Sequence, residues 1–187
     1  MDFKGLVKLR QSNRAYQDRA VEKEKIEQCL EAGRLSPSAN NAQGWTFVTV
    51  DDAGLKNRVA ESTYRMGGAF VKQAPVIIVL VAEKPLFMSK FGSALRKIDF
   101  SSLDMGIAAA HICLQAADLG LGTCMLESFD EKSIKTVLNI PDNRRVALLI
   151  TLGYPADTPR EKKRKKFDEV VRWNKYSYNK DERSFLL

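Results

Sequence analysis

An uninterrupted apolar run, PVIIVLVA at residues 75–82, constrains the fold of this chain more than any other feature. The run is shorter than the roughly 18 residues that a membrane-spanning helix requires. It is rich in β-branched residues and has no polar alternation, which is typical of a strand that is covered on both faces. The chain must therefore supply helices for both sides of a sheet.

Alternating strands and helices surround this run. Further strands are predicted for WTFVTV (45–50), TCML (123–126) and RRVALLITLGY (144–154), and helices for 22–34, 52–62, 101–119 and 130–140, with another helical piece before residue 75. This order predicts a mixed α/β or α+β layer fold with helices over a sheet. The length of 187 residues, with 44% hydrophobic and 28% charged residues, predicts one globular domain over 1–187.

The predicted helix at 101–119 is apolar almost all round. Its polar residues form one narrow stripe: Asp104, His111, Gln115 and Asp118. A helix of this kind belongs in the centre of a core or in a subunit interface. We interpret His111 and Asp104 as structural rather than catalytic residues. Gly120 and Gly122 follow the helix and can supply a left-handed cap.

Cysteine and histidine usage limits the chemistry of the side chains. Cys29, Cys113 and Cys124 have no CxxC spacing, which predicts reduced, buried thiols. His111 is the only histidine, so most sets of metal ligands are excluded and no metal is expected. No apolar run is long enough to span a membrane, and the first residues lack the apolar core of a signal peptide. A cytoplasmic protein is therefore expected.

The chain is basic, with a net charge of +7 and a pI near 9.3. Much of the excess lies in REKKRKK at 160–166, where six basic residues accompany one glutamate. Nucleic acid, a membrane surface, an anionic small molecule and simple solvation of the loop all remain possible explanations. The dinucleotide motif GxGxxG, the phosphate-binding motif GxxxxGK[ST] and the serine motif GxSxG are all absent.

The stretch LRQSNRAYQD at 9–18 places Arg10, Ser12 and Arg14 at every second position. In an extended segment, this spacing puts all three side chains on one face. Two guanidinium groups that flank a hydroxyl group are suited to holding a phosphate. The alternative is a surface segment whose arginines are merely solvated.

Four stretches, in this order, resemble the flavin-dependent nitroreductase family over about residues 9–171. The family opens with Arg-x-Ser-x-Arg/Lys, as in RQSNR here, and continues with a loop of the form Ser-Pro-Ser-x-x-Asn-x-Gln-Pro-Trp, here SPSANNAQGW (36–45). GLGTCMLESFDEKSIKTVLNIP (120–141) is similar to the family's Gly-Leu-Gly-Thr segment, turn and helix. VALLITLGYPAD (146–157), followed by KKRKKFDEVV (162–171), resembles its last strand, Gly-Tyr-Pro turn and Lys-x-Arg pair. Order and spacing together make the resemblance specific.

The resemblance implies an α+β fold with a central mixed or antiparallel sheet flanked by helices. It also implies a homodimer. The extended C-terminal tail, about 166–187, carries too much apolar surface for a free end, which predicts that it packs on a partner subunit. FMN is the implied bound cofactor and NAD(P)H the electron donor. A small electron-poor acceptor, such as a nitroaromatic or a quinone, would receive the hydride in a ping-pong cycle. A flavin carrier or redox sensor with little turnover, and a nucleic-acid-binding module, are the alternatives.

The resemblance also implies which residues bind the cofactor. Its phosphate would meet Arg10, Ser12 and Arg14, together with Lys162 and Arg164 from the far end of the chain. Pro37, Ser38 and Ala39 would lie along the flavin ring, with Asn41 and Gln43 reaching a flavin from the partner subunit's side. The turn at Met125 to Ser128, which contains Leu126, would aim a backbone N–H group, that of Glu127, at flavin N5. No side chain is expected to be catalytic, because the chemistry takes place at N5.

Two departures from the family pattern bear on the site. Gly44 stands where the family has proline, which predicts a looser loop. Gly67 and Phe70 occupy about the places of an asparagine and a lysine near the flavin pyrimidine, and Lys72 or Arg65 could compensate. Residues 83–100 are expected to cover the flavin, but they identify no acceptor, and no residue that would distinguish NADPH from NADH is recognisable.

Overall fold

The computed structural model describes residues 1–64, 68–83 and 100–176. Within these ranges, four strands form one antiparallel sheet in the order β1-β2-β4-β3. The strands are β1 (Trp45–Val50), β2 (Val76–Ala82), β3 (Gly122–Leu126) and β4 (Arg145–Gly153). All four were predicted, and the α+β class with an antiparallel sheet flanked by helices is confirmed.

The described helices are α1 (Phe3–Leu9), α2 (Lys23–Arg34), α3 (Ala53–Glu61), α4 (Gly68–Gln73), α5 (Phe100–Asp118), α6 (Glu131–Leu138) and α7 (Phe167–Val170). The short helix α1 was not predicted. It is capped by Asp2, whose carboxylate accepts a hydrogen bond from the Gly5 N–H at 2.8 Å. Asp52 and Asp130 cap α3 and α6 in the same way.

Strand β2 is buried on both faces, as its sequence predicts. Ile77 and Val79 belong to a core that also contains residues of α3, α4 and α6. Ile78 and Leu80, which point to the other face, belong to a second core with α2 and α5. The sheet therefore lies between two helical layers, and this arrangement accounts for the continuous apolar run.

Helices α2 and α5 pack closely against each other. A Cβ atom on Gly33 of α2 would lie 2.7 Å from Ile112 Cγ1, so only glycine permits this approach. Cys29 of α2 and Cys113 of α5 are buried in the same core, and Cys124 is also buried, so the prediction of buried free thiols is confirmed. On the outer face of α5, Leu103 is 56% exposed.

The polar stripe of α5 is divided between two environments. Asp104 is buried, whereas His111 is exposed and its Nδ1 lies 2.8 Å from the carbonyl oxygen of Ile107. Gly120 has a φ of 75° and follows the end of α5, as expected of a left-handed cap. The same expectation for Gly122 was wrong. Gly122 is a strand residue whose missing side chain makes room for Asn13.

Large apolar side chains near the two ends of the described chain face solvent. Phe167, Val170, Trp173 and Tyr176 are 63–79% exposed, and Phe3 of α1 is 70% exposed. The remaining apolar residues of the predicted tail, Tyr178 and Phe185, lie outside the described residues. None of the helices in the described ranges has the length and apolar character needed to cross a bilayer.

Candidate functional site

The segment that carries Arg10, Ser12 and Arg14 is extended, as predicted, and it runs beside the edge strand β3. Ser12 pairs with Thr123 in a parallel bridge, and the Asn13 N–H donates to the Thr123 carbonyl oxygen at 2.8 Å. Asn13 fits closely against Gly122, because a Cβ atom on this glycine would lie 2.7 Å from Asn13 Cγ. The strand thus fixes the position of the arginines along the sheet edge.

The chain that follows β4 runs back to this segment and forms hydrogen bonds with it. The Gln17 N–H donates to the Tyr154 carbonyl oxygen, and the Ala156 N–H to that of Ala15, both at 2.9 Å. Asp157 accepts hydrogen bonds from Asn13 Nδ2 at 2.6 Å and from the Arg14 N–H at 3.2 Å. Asp157 was not predicted as a site residue. In the sequence it is only an isolated carboxylate shortly before the basic residues 160–166.

The basic loop 160–166 also forms hydrogen bonds with the N-terminal segment. Arg160, another residue that sequence reasoning missed, donates from its guanidinium group to the Ser12 carbonyl oxygen. Lys162 Nζ donates to the Val7 carbonyl oxygen at 2.5 Å and to that of Arg10. Lys162 thereby satisfies free carbonyl groups at the C-terminal end of α1. The predicted convergence of both chain ends is therefore present.

Five predicted residues lie on the two segments that these hydrogen bonds join, and we name this group the cationic corner: Arg10, Ser12, Arg14, Lys162 and Arg164. Burial lowers the pKa of Lys162, and the positive charges of Arg10 and Arg164 lower it further. Among the described residues, no carboxylate forms an ion pair with the four basic side chains of the corner. The corner carries an excess of positive charge, which is suited to a multiply charged anion. The neighbouring Asp157 carboxylate pairs with Arg160, at 3.8 Å.

A pocket of about 180 Å³ adjoins the corner. It lies between Arg10 and Asn13 on one side and Ala117 and Leu121, at the end of α5, on the other. The nearby thiols are not nucleophiles at neutral pH, because burial raises the pKa of Cys124, Cys113 and, to about 12, of Cys29.

Leu126 and Glu127 lie further along the same edge of the sheet. Leu126 is half-buried at the end of β3 and pairs with Leu149, while the side chain of Glu127 is exposed. The turn beyond them is held by a hydrogen bond of 3.2 Å from the Tyr64 N–H to the Ser128 carbonyl oxygen. Glu127 is four residues from Thr123, or about 13 Å along an extended strand.

The other predicted residues lie in a loop that joins α2 to β1, and we name residues 36–44 the asparagine loop. Ser36 donates to the Gly33 carbonyl oxygen at 2.8 Å, and Ser38 Oγ accepts from the Gln43 N–H at 3.0 Å. Asn40, Asn41 and Gln43 have φ values of 54°, 52° and 46°. Asparagine tolerates this left-handed conformation better than most residues, whereas glutamine gains no such relief.

Asp104 of α5 contacts the middle of the asparagine loop. Its Oδ1 accepts a hydrogen bond from the Ala39 N–H at 3.0 Å, and the residue is only 7% exposed. Ser38 and Ala39 are half-buried, whereas Pro37, Asn41 and Gln43 are exposed. The sequence pattern predicts Asp104 as a structural member of the polar stripe and does not indicate its contact with the loop.

Within one chain, the asparagine loop and the cationic corner lie at opposite corners of the sheet. Trp45, which follows the loop, aligns through Ala82 with Arg145 at the start of β4, whereas Thr123 pairs with Leu152 near its end. Arg145 and Leu152 are seven residues apart, or about 23 Å along the strand. Strands β1 and β3 are three strand spacings apart, or about 14 Å across the sheet. The structure thus brings together the corner, Leu126 and Glu127, but not the loop residues.

The residues discussed as substitutes near the flavin pyrimidine are in different situations. Phe70 is buried in the core, so its ring packs against apolar neighbours. Lys72 forms an ion pair with Glu61, with 3.0 Å between Nζ and Oε1. Arg65 and Gly67 lie outside the described residues, as does most of the segment expected to cover the flavin.

Comparisons with known proteins agree with this architecture. The sequence model of the Nitroreductase family matches residues 7–154. A protein of Methanothermobacter thermautotrophicus, whose name includes both NADH dehydrogenase and NAD(P)H nitroreductase, is 34% identical over 85% of this chain and 80% of its own. The NAD(P)H FMN reductase of Bacillus subtilis is 28% identical over 91% of this chain and 72% of its own. The structure of an FMN-dependent nitroreductase from Clostridium difficile has a TM-score of 0.76 and 32% identity, and covers 93% of this chain and 100% of that one.

Proposed function

The chain belongs to the nitroreductase family, and we propose that it transfers hydride from NAD(P)H, through bound FMN, to an electron-poor organic acceptor. Its relatives include proteins named FMN reductase and oxygen-insensitive NADPH nitroreductase, which supports FMN as cofactor and NAD(P)H as donor. Nitroaromatics and quinones are the acceptor class that we propose. Donor and acceptor would occupy the site in turn, in a ping-pong scheme.

The cationic corner is the observation that carries this proposal. A phosphate monoester carries a charge of about −1.5 to −2 at neutral pH and presents three acceptor oxygens. Arg10, Arg14, Lys162 and Arg164 supply positive charge from both ends of the chain, and no described carboxylate pairs with them. The residues present therefore fit the phosphate of FMN.

We propose that Leu126 and Glu127 meet the ring of the same flavin. Leu126 ends the edge strand that also carries Thr123, and Glu127 follows it. Thr123 and Glu127 are about 13 Å apart along the chain, which an extended ligand lying beside β3 can span. When bound, FMN supplies hydride transfer at N5, and the protein supplies binding and orientation. We propose that the backbone N–H group of Glu127 donates a hydrogen bond at N5, where a fixed donor stabilises the changing charge. We assign no catalytic role to the Glu127 carboxylate.

We propose that the flavin site is completed by a second copy of the chain. The asparagine loop is too far from the cationic corner of its own chain to share one flavin with it, as the strand register indicates. In a homodimer, Pro37, Ser38 and Ala39, together with Asn41 and Gln43, would come from the partner. The exposed apolar side chains of the tail, such as Phe167, Val170 and Trp173, support such an interface, because packing on a second copy would remove them from water.

Spectroscopy of the purified protein tests the proposal. We expect a yellow protein, or one that becomes yellow with FMN, which NADH or NADPH bleaches under anaerobic conditions. With menadione or nitrofurazone as acceptor, steady-state double-reciprocal plots should give parallel lines. Arg14→Gln should lose FMN affinity, whereas Arg58→Gln, which removes an exposed arginine of α3, should not. A protein that stays colourless after incubation with FMN would contradict the proposal.

The same measurements separate the alternatives. Bound flavin that NAD(P)H reduces without acceptor turnover would indicate a carrier or redox sensor. A steeply salt-dependent affinity for DNA or RNA, without flavin binding, would indicate a nucleic-acid-binding module. Arg160 and Lys162 weaken that second alternative, because both donate to backbone carbonyl oxygens of the N-terminal segment instead of projecting freely into solvent.

A further inference from the structure

Asp104 is a buried acid for which the sequence reading gave no function. It lies on the second turn of α5 and is 7% exposed. A carboxylate at such a depth is costly unless hydrogen bonds replace its lost water. Its described partner is the backbone N–H of Ala39, at 3.0 Å. A buried charge that binds backbone in another segment fixes that segment in place.

The asparagine loop needs such a fixed point. Asn40, Asn41 and Gln43 all have φ near +50°, in a region that L-residues rarely adopt. The other hydrogen bonds described for residues 37–43 lie inside the loop or run to the adjoining strand β1. Asp104 supplies the described link between the middle of the loop and a different element of the fold, and Ala39 directly precedes the first left-handed residue.

We propose that Asp104 is a positioning residue, which holds the Ala39 N–H and thereby presents the asparagine loop to the flavin ring. The part that concerns flavin rests on the proposed function, whereas the part that concerns the loop does not. Asp104 touches no reacting group and acts through the loop backbone. Its loss should therefore weaken contacts with the ring and leave recognition of the phosphate unchanged.

Hydrogen exchange of the flavin-free protein tests the loop part. In the wild type, the Ala39 amide should be protected. In Asp104→Ala, it should exchange at least about tenfold faster, because a hydrogen bond to a charged acceptor is lost. Asp104→Asn keeps an acceptor oxygen and should restore most of the protection. Asp118→Ala removes an exposed carboxylate from the same helix and serves as the matched control.

Titration with two flavins tests the cofactor part. Asp104→Ala should weaken FMN and riboflavin by the same factor, about tenfold, because both contain the ring. Arg14→Gln should weaken FMN alone, because riboflavin has no phosphate. Asp104→Asn should bind both flavins within about threefold of the wild type.

The outcomes separate this inference from the proposed function. If wild-type protein binds neither flavin, the proposed function fails, while the exchange experiment still decides the role of Asp104. Unchanged Ala39 exchange in Asp104→Ala would overturn the inference, as would an equal loss of protection along the whole of α5. Should Asp104→Ala not fold, Asp104→Leu decides, because leucine has a similar branched outline but no acceptor oxygen: exchange that accelerates selectively at Ala39 supports the inference, and exchange that is unchanged or accelerates throughout α5 overturns it.

Discussion

The cationic corner and the asparagine loop are both polar parts of the surface, but in the described part of the chain the corner is held to the rest of the fold by more hydrogen bonds than the loop. The corner is tied by hydrogen bonds between distant parts of the chain, such as Asn13 to Asp157 and Lys162 to Val7. The loop is tied by Asp104 and retains three residues in the left-handed region. A cluster of like charges requires fixed positions to act on one phosphate. If the loop completes a partner's site, as we propose, it can remain strained until that site is assembled.

The corner and the loop also differ in how they can contribute to the affinity for a ligand. In the corner, burial lowers the pKa of Lys162, and Arg10 and Arg164 lower it further because the positive charges repel one another. A phosphate dianion would relieve this repulsion, so ligand binding should stabilise the folded chain. In the loop, the polar atoms are backbone and amide groups, so contacts there contribute orientation more than charge neutralisation.

Removing two corner arginines should have the largest effect. In the double variant Arg10→Gln, Arg14→Gln, FMN affinity should fall by roughly 10²–10⁴, because each charge-assisted hydrogen bond contributes about 1.5–3 kcal/mol. Calorimetric titration measures the loss. The control is Arg58→Gln with Lys132→Gln, which removes the same charge from exposed positions on α3 and α6. Equal losses in both double variants would mean that net charge, and not the fixed corner, attracts the ligand.

Adding one methyl group compares the packing of the two regions. Gly122→Ala would place Cβ 2.7 Å from Asn13 Cγ, so the corner must shift, and the free energy of unfolding should fall by about 1–3 kcal/mol. Gly44→Ala in the asparagine loop meets nothing within 4 Å and should change stability by less than about 0.5 kcal/mol. Chemical denaturation measures both. Similar values for the two variants would contradict the contrast between a packed corner and an open loop.

The smallest expected effect is a pH dependence beside the corner. The Tyr154 hydroxyl donates to Glu22 at 2.6 Å and, with a backbone hydrogen bond and Arg19, lowers the Glu22 pKa from 4.5 to about 2. Because the folded pKa lies below the unfolded one, ionised Glu22 stabilises the fold above about pH 4.5, and this contribution is lost as the pH falls towards 2.

Thermal unfolding from pH 7 to pH 2.5 measures this contribution. Glu22→Gln should lower Tm at neutral pH, and its difference from the wild type should shrink on acidification. Glu27→Gln is the control, because its ion pair with Lys23 is 3.8 Å long and solvent-exposed. A Glu22→Gln difference that does not change with pH would show that the Tyr154 contact, and not the charge, stabilises this region.

The sequence predicted the elements well and the contacts between them only in part. The four strands and the main helices follow from local apolar patterns, which depend on neighbours a few residues apart. Helix α1 was missed, because seven residues carry little periodic signal. Gly122 was misassigned as a cap because its role depends on Asn13, which is more than a hundred residues away in the chain.

The site shows the same division. Arg10, Ser12, Arg14, Lys162 and Arg164 were named from motifs, and in the structure Lys162 lies against the segment that carries Arg10. The residues that hold them, Asp157 and Arg160, were not named, because a carboxylate or a guanidinium group that binds backbone leaves no pattern in the sequence. Asp104 was placed on the correct helix, but its partner loop could not be inferred from spacing.

By itself, the sequence determined a two-layered covering of a central strand and the identity of the charged groups, because burial and charge are properties of the residues. Only the tertiary structure decided that those charges form one corner and that the asparagine loop lies at the other end of the sheet. The strand register and the path of the chain after β4 set these distances, and both are fixed by packing between distant parts of the chain.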